Sequence, residues 1–324
     1  MDTSRLTRRQ ALKIGGAAAL TAPIVAAVLP SGAADASPAT LADQGAPVTR
    51  LPIAEIERII QVKGTVSNNV LDLTVDRTDL PHVTTTDGVP IKPSFQINGD
   101  VFFQALHDGS AMMNGDLCFV GREIDGAIDQ MLAHGIVLQA EHQHLWDLHH
   151  PRPWFMHFRG HGDPVRLAKG VAAILGATAT PLPQSPPSHP STPLDAHRLG
   201  RIIGAPPTID SDGVVSFQVP QRRRIRLGGV TVNPYLNIAT PIGFEPLGGD
   251  RAVVVPDFGM FAHQVEPVMR LMRSKGWLIG CLYNQETDEH PQLYFSHQLK
   301  VGNAYELAKE VRAGLELTDV VLQS

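Results

Sequence analysis

Residues 150–175 read HPRPWFMHFRGHGDPVRLAKGVAAIL, and residues 290–315 read HPQLYFSHQLKVGNAYELAKEVRAGL. The two segments are identical at 11 of 26 positions, among them His150/His290, Pro151/Pro291, His157/His297, Gly162/Gly302 and Lys169/Lys309. The match extends toward the N-terminus with the spacing changed from 140 to 141. There Val89, Pro93, Ile97, Phe103, Asp116, Met131 and Gly135 fall on Val230, Pro234, Ile238, Phe244, Asp257, Met272 and Gly276. A self-match of this length marks a duplicated unit, and it decides the architecture before any single element is assigned.

Each copy reads as the same succession of elements. A helical start (53–60; 194–203) precedes strand-like runs at 70–75 and 214–219, at 89–91 and 230–232, and at 100–106 and 237–244. Residues 111–120 and 252–261 are further apolar strands. Helical spacing follows over 123–133, where Ile124, Ala127, Ile128 and Met131 share a face, and over 264–274. Gly135 and Gly276 sit where a left-handed cap would end these helices. Two strands come next (136–144 and 154–159; 277–283 and 292–298), then a closing helix at 164–175 and 304–315. Asp163 as N-cap with Pro164 just inside is a strong start signal. Both copies therefore end β-α-β-β-α. The fold class is α+β: two tandem repeated modules, each a mostly antiparallel sheet with helices packed on it. The modules span 50–176 and 194–324. A linker at 177–193, rich in Pro, Ser and Thr, is expected to run over the surface between two halves related by approximate two-fold symmetry.

Residues 1–36 read as a targeting segment. Arg8-Arg9 begins a twin-arginine pattern, an apolar run from Ile14 to Leu29 follows, and Ala34-Asp35-Ala36 is an A-x-A exit. Residues 37–49 form a flexible leader after it. The expectation is export by the twin-arginine route to the periplasm, cell envelope or exterior, with no membrane span left after cleavage. The full chain of 324 residues has a net charge of −5; without residues 1–36, 23 basic and 30 acidic residues remain, a charge of −7. An acidic chain with no basic stripe argues against nucleic acid as a partner. Arg222, Arg223, Arg224 and Arg226 form the one basic run, a candidate contact for an acidic surface or ligand. Cys118 and Cys281 are the two cysteines; in an exported protein they read equally as a disulfide or as buried thiols.

Six of the 14 histidines lie between 141 and 161. Two residues apart on a strand, His142 and His144 point to one face about 6.8 Å apart, and a hairpin brings His157 alongside. His142, His144, His157 and His161 are the candidate metal ligands. Imidazole donors suit Zn²⁺, Cu²⁺ or Ni²⁺ better than Ca²⁺ or Mg²⁺. The second copy has Tyr283, Gln285 and Val301 at the places of His142, His144 and His161, so it is expected to be a degenerate ligand set. Residues found in both copies, Asp116/Asp257 among them, are read as serving the fold, and residues in one copy only as serving function. Glu141 has the opposite strand parity to His142 and faces away. A nucleophile elbow, a phosphate-cradling Gly loop and a His-Glu-x-x-His helix are not present, so no nucleotide cofactor is expected.

The double module resembles the LppY/LpqO family of exported bacterial proteins, a domain of unknown function. Three motifs carry the resemblance over nearly all of the chain beyond the leader: Gly115-Asp116-Leu117; Gly135-Ile136 leading to His142-Gln143-His144-Leu145; and Phe155-Met156-His157 followed by Gly160-His161-Gly162-Asp163-Pro164. The resemblance implies export and implies no reaction. The expected function is binding of a divalent transition metal or small ligand at the N-terminal histidines. The alternative is a metal-dependent or histidine acid/base enzyme, such as a hydrolase.

Overall fold

The computed structural model describes residues 50–80, 83–85, 88–145 and 151–323. The segment 1–36 read as an export signal, the expected leader at 37–49, and the turn residues Trp146, His149 and His150 lie outside the described residues.

The first module runs α1 (Ile53–Ile60), β1 (Thr65–Ser67), β2 (Val70–Asp76), α2 (Pro93–Gln96), β3 (Asn98–Ala105), β4 (Ala111–Val120), α3 (Ile124–Ala133), β5 (Val137–His142), β6 (Pro153–Gly162) and α4 (Pro164–Gly176). The second runs α5 (Ala196–Ile203), β7 (Thr208–Ile209), β8 (Val215–Val219), β9 (Arg226–Leu227), β10 (Val230–Thr231), β11 (Thr240–Gly248), β12 (Arg251–Met260), α6 (Ala262–Ser274), β13 (Leu278–Ile279), β14 (Glu289–His290), β15 (Tyr294–Asn303) and α7 (Ala304–Leu315). Two six-stranded antiparallel sheets result, ordered β1-β2-β3-β4-β6-β5 and β7-β8-β11-β12-β15-β13, with a small sheet β10-β9-β14 beside them. The α+β duplicated-module reading holds. The strand expected at 89–91 is not formed, and only a bridge from Thr84 to Pro90 marks it.

Alternation along the central strands explains how the layers stack. On β4 the odd residues Ala111, Met113, Leu117 and Phe119 pack under α3 and α4 with Ala127, Met131, Leu167 and Val171. On β12 the even residues Ala252, Val254, Phe258 and Met260 pack likewise under α6 and α7. The opposite faces of the two sheets meet. Cys118, Val120 and Phe155 cluster with Val253, Val255 and Leu299, while Phe102 and Met112 cluster with Ile225, Leu236 and Phe295. The order of layers is therefore helix, sheet, sheet, helix. Strands β4 and β12, covered on both faces, carry the near-continuous apolar runs that such burial demands. Asp163 caps α4 by accepting from the Arg166 amide at 2.8 Å, and Gly135 and Gly276 take the positive φ expected of them.

The linker does more than cross the surface. The Gln184 side chain donates to the Asp76 carbonyl and accepts from the Asp76 amide, both at 2.8 Å, pinning it to the end of β2. Cys118 and Cys281 are free thiols. The basic run is partly neutralised within the chain: Arg222 and Arg223 both pair with Asp319, and Arg226 donates to the Gly229 carbonyl.

Candidate metal centre

The site forms where the two inner sheet faces meet. On β6 the residues with odd numbers face inward, so Phe155, His157 and Arg159 point at the other module. His157 pairs across β4 with Asp116, and in the second sheet His297 pairs in the same way with Asp257. The residues common to both copies thus stand opposite one another around one cavity. This corrects the reading that their being shared is explained by folding alone: the duplicated Asp–His pair is what each module presents to the interface.

His142 reaches this face because of a β-bulge. Val137 pairs with Arg159 and Leu138 with Phe158, but beyond Gln139 the register shifts so that Ala140 pairs with His157 and His142 with Phe155. In the unshifted register His142 would stand beside Trp154, on the helix-facing side. One extra residue reverses the parity. Gln139 is held by the second module: it donates to Glu286 and accepts from the Thr287 amide at 3.1 Å.

The three rings of His142, His144 and His157 each offer a nitrogen, and these nitrogens lie within 4.8 Å of one another. His142 Nε2 is 2.9 Å from His157 Nε2. His144 lies just past the end of β5, stacked between the Phe155 ring at 3.3 Å and the His297 ring at 3.9 Å. Its Nε2 stands 3.8 Å from Asp116 Oδ2, too far for a hydrogen bond. His144 Nε2 and His157 Nδ1 are buried without a hydrogen-bond partner, as is Asp257 Oδ1. His161 does not join the group. Four residues beyond His157 on β6, it is about 13 Å along the strand, exposed, and 3.2 Å from the Ser110 hydroxyl. Glu141 is exposed, in keeping with its parity.

The second module contributes more than its sequence suggested. Tyr283 stacks on His142 with ring centres 3.7 Å apart and donates its hydroxyl to Asp257 at 3.1 Å. His297 Nδ1 lies 3.3 Å from Cys281 Sγ and 3.4 Å from Asp257 Oδ1. Two identical positions, Asp116/Asp257 and His157/His297, were the signal available in the sequence.

Burial sets the charge state. It pulls His142 down to about 4, and holds His144, His157 and His297 well below the ordinary histidine value, with their mutual repulsion adding to it. Burial also pushes Asp257 up to about 8, and it raises Asp116 well above the carboxylate range with help from Asp100 and Asp257. The imidazoles are therefore neutral at physiological pH, the state in which they bind metals.

A fold with this site defines an α+β protein built from two copies of one module, with a histidine cluster between them. The chain belongs to the family described as domain of unknown function DUF1259, whose model matches residues 54–177 and 197–317. No curated protein matches the chain. Among solved structures, a trimeric bacterial microcompartment shell protein, PduB, aligns with 10% identity and a TM-score of 0.20, covering 81% of this chain and 97% of its own; a likeness that weak carries no argument.

Proposed function

We propose that the protein binds a divalent transition metal through His142, His144 and His157. The observation that carries this reading is the convergence of three neutral imidazoles, His142 half-buried and His144 and His157 buried, the latter two each holding a nitrogen with no partner inside the protein. An unsatisfied buried nitrogen costs roughly 1–3 kcal/mol, and a metal bond relieves that cost. The donor set favours Zn²⁺, Cu²⁺ or Ni²⁺. Asp116 and Tyr283 stand next to the rings and would orient them. The test is metal content by mass spectrometry on protein purified after export, compared with a His142→Ala/His144→Ala variant. One equivalent lost on mutation supports the site. A wild type that neither carries metal nor takes up these three ions at micromolar concentration overturns it.

A second reading rests on Asp257. A carboxyl raised to about 8, bonded to Tyr283 and facing His297, is suited to exchanging protons near neutral pH. In that reading the cluster is a metal-free acid/base centre, and Asp257→Asn removes activity on whatever substrate the cavity accepts, with no change in metal content.

We also propose that the chain is an exported member of the LppY/LpqO type. Arg8-Arg9 and the Ala34-Asp35-Ala36 exit support this, and among the described residues no helix is long and apolar enough to cross a membrane. Replacing both arginines with lysine and fractionating cells tests the route; unchanged recovery outside the cytoplasm counts against it.

A further inference from the structure

The histidines stand at one end of a larger space. The inner cavity, about 190 Å³, is lined by His144, His157, Asp116 and Asp257, and also by Asp72, Asp100 and Asp210. It shares Asp72, Thr74, Phe102 and Asp210 with an outer cavity of about 500 Å³, which adds Asp76. The lower edge of β2 supplies Asp72, Thr74 and Asp76 to the inner face, and Thr74 pairs with Asp100 on β3, which in turn pairs with Asp116. Carboxylates thus run in a row from the outer cavity to the histidines.

These charges are not compensated from within. The described lining of the inner cavity contains no lysine or arginine, and that of the outer one contains only Lys63. Asp72 and Asp76 each keep an oxygen buried without a partner. At the inner end, Asp257, 4% exposed, keeps an oxygen without a hydrogen-bond partner, 3.4 Å from His297 Nδ1. Burial and mutual repulsion raise Asp72, and push Asp76 to about 7 and Asp100 to about 6. A cavity lined by half-buried carboxyls that hold protons for want of a basic partner can release those protons to a cation that enters it.

The shape of the group tells which cation. Among the described residues, no three of these carboxylates converge within the 4.8 Å that unites the histidines, so they do not enclose one metal ion. Asp72 and Asp76, four residues apart on a strand, are about 13 Å apart along it. Thr74 stands between Asp72 and Asp76, and apolar surface flanks the acids at Val70, Phe102, Tyr235 and the linker prolines Pro186, Pro187 and Pro190. Spaced acids flanked by apolar surface match ammonium groups separated by methylenes, and an aromatic ring adds a cation–π contact. We propose that the space between the two sheets binds an aliphatic polyamine. This space adjoins the metal centre, and the acids that would hold the amine, Asp72, Asp76, Asp100 and Asp210, are not among the proposed metal ligands.

Spermidine titrated into the full chain by calorimetry at low ionic strength, where screening is weakest, tests the proposal. About one equivalent is expected to bind. Asp72→Asn/Asp100→Asn is expected to weaken binding at least about tenfold, as the loss of two close opposite charges implies. 1,4-Butanediol, which has the methylenes without the charges, is expected not to bind. The Asn variant removes repulsion and so keeps the fold; Asp76→Asn/Asp210→Asn serves as a second variant with the same expectation. His142→Ala/His144→Ala is expected to lose metal and retain spermidine, which separates failure of the two sites. Absence of spermidine heat at millimolar concentration overturns the proposal. So does wild-type affinity in both Asn variants, or uptake of Ca²⁺ or Zn²⁺ that the Asn variants lose while spermidine stays silent.

Discussion

Gln139, the extra residue in the β5 bulge, is locked to Glu286 of the second module, donating to its carboxylate and accepting from the neighbouring Thr287 amide. The bond ties the turn of one strand to a loop of the other module. It fixes the register that brings His142 beside His157, so the histidine cluster depends on the interface being closed.

Replacing Gln139 with alanine leaves Glu286, which burial already pushes up to about 8, with Asn114 as its remaining amide donor. Loss of these buried bonds is expected to cost about 1–3 kcal/mol. Urea denaturation should show the midpoint fall, and metal uptake should weaken alongside it. An unchanged midpoint would mean the bulge holds without its partner.

Gly280 passes so close to His144 that a side chain cannot fit. A Cβ there would lie 2.5 Å from the His144 carbonyl oxygen and 2.9 Å from the Leu145 side chain. Gly280→Ala is expected to destabilise by about 1–3 kcal/mol through overpacking. It should also displace His144, seen as lost metal binding in folded protein. Wild-type affinity in this variant would show that His144 is not a ligand.

Stability of the unliganded protein should fall between pH 6.5 and pH 8. Asp76 and Glu245 are raised to about 7, and Glu286 and Glu289 to about 8, against values near 4 in the unfolded chain. Their raised values mean the folded state holds protons the unfolded state has already released. Stability is then full at low pH and declines as pH rises through the folded values. The histidines, shifted downward, act only below about pH 6.5, where they oppose this trend. Chemical denaturation at pH 6.5 and 8 measures the change. A higher midpoint at pH 8 would sink the assignment.

Tyr283→Phe should separate orientation from ligation. It removes the hydroxyl that donates to Asp257 but keeps the ring stacked on His142. Metal stoichiometry is expected to stay the same and affinity to change by less than about tenfold, because the lost hydroxyl bonds Asp257 and none of the three ligand histidines. Loss of stoichiometry would make Tyr283 a ligand instead.

The duplication, the α+β class and the positions of the main helices and central strands were legible because each rests on local information. Repeated identities, period-2 and period-3.6 patterns, the Asp163–Pro164 cap and the Gly135 and Gly276 stops all act within a few residues. The hairpin pairing of His142 with the His157 strand was legible for the same reason. Three things were not. The bulge at Gln139 is set by partners 147 and 148 positions away, Glu286 and Thr287. The distance of His161 from the cluster follows from strand length, which parity alone does not report. The confluence of Asp116, His157, Asp257 and His297 requires knowing which sheet faces meet. A sequence states the order and periodicity of side chains along each module. Which inner face covers which, and so which buried charges share one cavity, is decided by packing between modules, a long-range interaction that leaves no local pattern.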